Sequence, residues 1–104
     1  MIDIIDLRKY FESDNVLISD HAAMRFRQRG LKVKDIRCAV NNGEIIEQYP
    51  DDFPFPSCLI FGKAADEKII HVVMSDEGKM SRIITAYYPH PDKWDSQLKV
   101  RKEQ

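Results

Sequence analysis

One ten-residue segment, HAAMRFRQRG at residues 21–30, carries side chains whose types and spacing favour chemistry on a phosphate. On a helix, His21, Arg25 and Arg29 follow one another at intervals of four residues and lie on one stripe. Two guanidinium groups one turn apart repel each other unless an anion, a carboxylate or water lies between them, and their planar fork suits phosphate oxygens. An imidazole, with a pKa of about 6.5, exchanges protons near neutral pH. This combination is typical of metal-free phosphodiester cleavage, in which one group moves a proton and others stabilise the developing charge.

A second group of polar side chains falls on two predicted strands. In IIHVVMS, residues 69–75, alternation places His71 on one face with the other odd-numbered residues, and the even-numbered residues on the opposite face. In RIITAYY, residues 82–88, the same alternation places Ile83, Thr85 and Tyr87 together. The two hydroxyl groups can bond to a phosphate, and the tyrosine ring can stack on a base, but a lone strand histidine and a Thr–Tyr pair are also ordinary structural residues.

Helical patterns account for the first 42 residues. Apolar spacing predicts a short amphipathic helix from Asp3 to about Ser13, and a helix of about three turns that Ser19 or Asp20 caps and Gly30 ends. A third helix carries apolar residues from Val33 to Val40 at helical intervals and stops at Asn41-Asn42-Gly43.

After Gly43 the pattern changes to strands. Four segments rich in β-branched and aromatic residues, GEIIEQY, SCLIFGKA, KIIHVVMS and SRIITAYY, are separated by turn-forming compositions. The short connections at 65–67 and 76–79 predict that the last three strands form an antiparallel meander. We therefore expect an α+β fold with N-terminal helices packed on a four-stranded, mainly antiparallel sheet, and with Trp94 docked by the tail.

Length and composition restrict the class of protein. The chain has 104 residues, of which 43% are hydrophobic, as expected of a single domain over residues 1–104. We see no membrane span and no signal-peptide pattern, and expect a cytoplasmic protein with no cofactor or metal. Cys38 and Cys58 lie outside any metal-ligand spacing, so we read both as reduced, buried fillers. The net charge is -1, but the charges are unevenly distributed, and residues 21–37 hold six basic residues and one acid. This segment could therefore form a local anion site.

The segment SDHAAMRFRQRGLKVKDIRCAVNNGEIIEQYP, with IIHVVMS and the closing RIITAYYP, resembles the bacterial and archaeal family called domain of unknown function 4258, over about residues 16–92. That family is similar to small metal-independent RNases, which include the RelE toxins, colicin RNases and barnase. The resemblance implies a RelE/barnase-like fold and a toxin encoded beside a zinc-ribbon and helix-turn-helix antitoxin. It also implies one cleft between helix and sheet, lined by His21, Arg25, Arg29, His71, Thr85 and Tyr87.

Our leading hypothesis is an endoribonuclease toxin that cleaves single-stranded RNA by attack of the ribose 2′-hydroxyl on the adjacent phosphate, so that DNA does not react. His21 would transfer the proton and His71 would complement it, while Arg25 and Arg29 hold the phosphate. Thr85 and Tyr87 would bond to the phosphate or stack on a base.

Two other hypotheses remain open at this point. The first is an inactive RNA- or protein-binding module of the same fold, in which the Phe53–Pro56 loop and the acidic segment 44–67 anchor a partner. The second is a structural domain in which each arginine is buried against a carboxylate.

Overall fold

Three helices and five strands make up the part of the chain, residues 1–102, that the computed structural model describes. The predicted α+β class is confirmed. The helices are α1 (Ile4–Glu12), α2 (Asp20–Gln28) and α3 (Val33–Asn42). The strands are β1 (Val16–Ile18), β2 (Glu44–Tyr49), β3 (Ser57–Lys63), β4 (Ile69–Ser75) and β5 (Ser81–Tyr87).

All five strands belong to one mixed sheet in the order β1-β5-β4-β3-β2. Strands β2 to β5 form an antiparallel meander, as their tight connections predict. The prediction of four strands is wrong, because β1 pairs in parallel with the start of β5, from Val16 opposite Ser81 to Ile18 opposite Ile83. Three residues are too few to show an alternating pattern, and their partner lies more than 60 positions away in the sequence.

Strand β5 contains a β-bulge that the sequence pattern does not reveal. Met74 of β4 pairs with Ile83, whereas the preceding residue, Val73, pairs with Thr85. Ile84 is therefore the additional residue on β5. An inserted residue interrupts the alternation of a strand, so the side chains after it lie on the opposite face from the one that strict alternation assigns.

The bulge corrects the predicted grouping of Ile83 with Thr85 and Tyr87. Ile83 and Ala86 both pack in the hydrophobic core beneath the helices. Tyr87 pairs with His71, and paired side chains share a face, so Thr85 and Tyr87 lie on the side of the sheet away from the helices. We call this side the outer face.

The core lies between the helices and the other side of the sheet. Alternation on β4 is confirmed here, since Ile70, Val72 and Met74 point into the core while His71 points to the outer face. The principal buried residues of the helices are Leu7, Phe11, Ala22, Phe26, Ile36, Ala39 and Val40.

Helix α3 lies unusually close to β3. A Cβ atom added to Gly62 would lie 2.2 Å from the carbonyl oxygen of Ala39. Only a residue without a side chain permits this approach, so Gly62 sets the distance between the helix layer and the sheet.

The two cysteines are free thiols. Cys58 is fully buried, and burial, with a smaller effect of the Asp76 charge, raises the pKa of its thiol to about 12. Cys38 is only half-buried. Within residues 1–102, no helix is long and apolar enough to cross a lipid bilayer.

Candidate functional site

Local sequence signals fix both ends of helix α2, which carries the His–Arg stripe. The Ser19 hydroxyl accepts a hydrogen bond from the Ala22 N–H at 3.1 Å, so Ser19 rather than Asp20 is the N-cap. At the other end Gly30 has a φ of +76°, and the Leu31 N–H donates to the Phe26 carbonyl at 2.8 Å. This is the Schellman arrangement, in which glycine takes a left-handed conformation without steric cost.

The stripe lies next to the side of α2 that packs on the core. Ala22 and Phe26 are buried, His21 and Arg25 are exposed, and Arg29 is half-buried. Within the described chain, neither His21 nor Arg25 takes part in an ion pair. The imidazole and one guanidinium group therefore face solvent with their polar atoms available to a ligand.

Arg29 connects the stripe to the last strand. One of its guanidinium nitrogens, Nη1, donates to the Ala86 carbonyl at 2.8 Å and to Thr85 Oγ1 at 3.2 Å. Because β1 pairs only with the first three residues of β5, the rest of β5 has no strand beside it on this side in residues 1–102. Arg29 covers part of this open edge and reaches around it to the Thr85 hydroxyl.

The partners of Arg29 are neutral oxygens, so its charge has no carboxylate counterpart among the described ion pairs. This finding contradicts the hypothesis of a structural domain whose arginines are buried against acids. His21, Arg25, Arg29 and Thr85 form a group that we call the edge site. Along the helix axis, the edge site extends about 12 Å from His21 to Arg29.

His71 lies apart from the edge site, on the outer face, and is fully buried. Its Nε2 is 2.6 Å from the carbonyl oxygen of Leu98. A carbonyl only accepts hydrogen bonds, so Nε2 carries the proton, while Nδ1 is buried without a hydrogen-bond partner among the described residues. Burial lowers the pKa of His71, although the Leu98 contact opposes this effect.

Aromatic rings surround the His71 imidazole. The Trp94 ring lies edge-on at 4.4 Å between centroids, Tyr87 at 5.5 Å and Phe61 at 6.2 Å. Burial also raises the pKa of the Tyr87 hydroxyl. In this arrangement His71 is neutral and shielded from solvent, which is the structural role that a lone strand histidine most often has.

The cover over His71 is the segment 93–102, which we call the C-terminal strap. Trp94 is its one deeply buried residue at 2% exposure, which agrees with the prediction that the tail docks this indole. Asp95 shapes the strap by accepting from the Gln97 and Lys99 N–H groups, and these backbone bonds lower the pKa of its carboxyl group. Sequence reasoning predicted the indole contact but missed the role of the strap as a cover.

Ion pairs attach the strap to the β2 edge of the sheet. Arg101 Nε lies 3.1 Å from Glu47, and Lys99 Nζ lies 3.0 Å from Glu44. The Arg101 guanidinium also lies over the Trp94 ring at 4.7 Å, and Lys99 lies over Phe61 at 4.9 Å.

The six predicted residues thus form two groups. Arg29 contacts Thr85 at the open edge of β5, and Arg25 and His21 lie farther along the same stripe of α2. His71 and Tyr87 lie together beneath the strap. The expectation of a single cleft between helix and sheet differs from this arrangement, because alternation on β4 and the bulge on β5 place His71, Thr85 and Tyr87 on the outer face. The hydrogen bond from Arg29 to Thr85 joins the helix stripe to the last strand.

One further surface has partly apolar walls. Phe53 is 94% exposed, and with Phe55 and Ile84 it lines a groove of about 310 Å³ that also contains Arg82. Arg82 pairs there with Glu77 at 3.2 Å. The Phe-Pro repeat in the sequence identifies the loop, but the contribution of Ile84 depends on the bulge.

The comparisons with known proteins identify a family without a known function. The family model described as Domain of unknown function (DUF4258) matches residues 18–88, from the end of β1 to just past β5. No curated protein and no solved structure matches the chain. Because the match includes α2, α3 and the strands β2 to β5, and thereby about two thirds of the sequence, the chain belongs to the DUF4258 family.

Proposed function

We propose that this protein is a metal-independent endoribonuclease that binds single-stranded RNA at the edge site. The observation that carries the proposal is the combination, beside an open strand edge, of an exposed imidazole with two guanidinium groups that have no carboxylate partner within residues 1–102. Backbone phosphates are the anions that such groups bind best. Residues 21–37, which include Arg25 and Arg29, hold six basic residues and one acid, so this part of the chain carries a local positive charge.

In the proposed reaction, His21 accepts the proton of a ribose 2′-hydroxyl. The 2′-oxygen forms a bond to the adjacent phosphorus, the bond from phosphorus to the 5′-oxygen breaks, and a 2′,3′-cyclic phosphate remains. Arg25 and Arg29 stabilise the negative charge on the phosphate oxygens in the transition state. His71 lies on the outer face beneath the strap, so water rather than His71 protonates the leaving 5′-oxygen.

The biological setting that we propose is a toxin–antitoxin pair. This part rests on the likeness of the family to RelE-type and barnase-type RNases, and we extend that likeness to the fold of helices on an antiparallel meander. The partner would be an antitoxin with a zinc ribbon and a helix-turn-helix. A near-neutral chain with few phosphate contacts predicts weak, salt-sensitive RNA binding, which favours free RNA over the ribosome as the substrate.

The experiment is an RNA cleavage assay in EDTA with the wild type, His21→Ala and Arg25→Ala. We expect each variant to lose activity by about 100-fold or more, because each removes a proton-transfer group or a charge-stabilising group. Arg27→Ala is the matched control, since Arg27 is also exposed but lies about 200° around the helix from Arg25. Equal activity of wild type and His21→Ala, or no activity of the wild type on any RNA, would contradict the proposal.

A second candidate is a non-catalytic RNA-binding module. The buried position of His71 favours it, because the edge site then has a single imidazole where acid–base catalysis commonly uses two groups. RNA binding that persists in His21→Ala, is lost in Arg25→Ala and is never accompanied by cleavage selects this candidate.

A further inference from the structure

The outer face combines a buried polar atom and a group of aromatic rings under the C-terminal strap. Among the residues that the structure describes, His71 Nδ1 is buried without a hydrogen-bond partner, which is unfavourable for a residue whose role is only structural. Tyr87 and Phe61 lie on either side of the same imidazole. Bases of single-stranded RNA are commonly bound by stacking on aromatic side chains of this kind.

The strap occupies this surface with two groups that a nucleobase also has. Trp94 places an aromatic ring edge-on against the imidazole, and Leu98 places a carbonyl oxygen at Nε2. A base with an exocyclic carbonyl presents a ring and such an acceptor in one molecule. Trp94 and Leu98 of the strap therefore make the same contacts with His71 that a bound base would make.

Trp94 is the one buried attachment of the strap, and its charged attachments are weak. The ion pairs of Arg101 with Glu47 and of Lys99 with Glu44 are partly or largely exposed, and exposed pairs contribute little to stability. The family match ends at Tyr88, so residues 93–102 lie outside the matched segment. Phe61, His71 and Tyr87 of the outer face lie within the matched residues, whereas the strap that covers them does not.

We propose that the C-terminal strap is a displaceable cover over a nucleobase-binding surface formed by Phe61, His71 and Tyr87. This inference rests on the proposed function, because the RNA that continues from the edge site is the occupant. Tyr87 follows Thr85 by two residues on the same face, about 6.6 Å along the strand, so a phosphate at Arg29 and Thr85 places the next base over Tyr87. Displacement of the strap thus controls how much of the RNA the protein holds.

The test measures the affinity of the full-length protein for a labelled single-stranded RNA whose 2′-hydroxyls are methylated to prevent cleavage. Trp94→Ala weakens the strap without a change in charge, and Trp94→Leu does so while it retains apolar burial in case the alanine variant folds poorly. If the strap is closed in about nine molecules of ten, we expect its release to tighten binding by about tenfold. Adding Tyr87→Ala to either variant should remove this gain, whereas Tyr88→Ala, at a neighbouring exposed ring, should leave it.

The outcomes separate this inference from the proposed function. RNA affinity that does not rise in either Trp94 variant, although NMR shows His71 exposed to solvent, overturns the strap as a cover while cleavage that depends on His21 still stands. A rise that Tyr87→Ala does not remove overturns the nucleobase surface. Failure of every form of the protein to bind RNA overturns both proposals.

Discussion

The Arg29 guanidinium donates a hydrogen bond to Thr85 Oγ1 at 3.2 Å across 56 positions of sequence. The same nitrogen donates to the Ala86 carbonyl at 2.8 Å, at the open edge of β5. One side chain thereby fixes the end of helix α2 to the last strand and brings positive charge to the open edge of β5.

The first prediction concerns the structural part of this contact. Arg29→Ala should lower the free energy of unfolding by about 1–2 kcal/mol, because it removes two charge-assisted hydrogen bonds at a half-buried position. Arg25→Ala should change it by less than about 0.5 kcal/mol, since Arg25 is exposed on the same stripe. Urea unfolding measures both. Equal losses in the two variants would show that the Arg29 contact does not stabilise the fold.

The second prediction concerns pH. Burial lowers the pKa of His71, so between its lowered value and about 6.5 the unfolded chain binds more protons than the folded chain. The contribution of His71 to stability is therefore complete above pH 6.5 and is lost as the pH falls below it, by at most about 1.4 kcal/mol per pH unit.

Urea unfolding of wild type and His71→Phe between pH 8 and pH 5 measures this dependence. The difference in stability between the two proteins should shift in favour of the variant as the pH falls. A difference that stays constant over this range would mean that His71 is not held neutral by burial.

The third prediction compares Gly62, where there is no space for a Cβ atom, with Gly30, where only the positive φ favours glycine. Gly62→Ala should destabilise the protein by about 3 kcal/mol, because its Cβ would lie 2.2 Å from the Ala39 carbonyl and the helix would have to move. Gly30→Ala should cost about 1 kcal/mol, since the position has open space around it and only its positive φ opposes a side chain. Thermal unfolding should rank the two variants in that order, and the reverse order would contradict the close approach of α3 to β3.

The fourth prediction concerns thiol reactivity. In the native protein, a thiol reagent should label Cys38 and leave Cys58 unmodified, because Cys58 is fully buried and its pKa is raised to about 12. Both thiols should react in urea. Cys38→Ser should therefore abolish labelling under native conditions, and rapid labelling of that variant would show that the core opens around β3.

Local patterns in the sequence were sufficient for most elements of the fold. Ser19 and Gly30 flank an amphipathic segment. Helix α2 begins after Ser19 and ends before Gly30, as the capping preferences of serine and glycine predict. Alternation on residues 69–75 also separated His71 from the core-facing Val72 correctly. These features depend on interactions between residues a few positions apart, which a single sequence displays directly.

Long-range pairing decided the remaining features. Strand β1 exists because Val16–Ile18 finds a parallel partner in β5, and the bulge at Ile84 exists because of the register between β4 and β5. Neither pairing leaves a local mark in the sequence. As a result, the strand count and the face of Ile83 relative to Thr85 were predicted incorrectly.

The sequence by itself determined that His21, Arg25 and Arg29 share one stripe, because a helix repeats every 3.6 residues whatever surrounds it. Only the tertiary structure decided what each group faces. Arg29 meets Thr85 because α2 continues along the edge that β1 leaves open, and His71 is shielded because the C-terminal strap packs on the outer face. A strand pattern defines two faces, but which of them is covered, and by what, depends on segments distant in the chain.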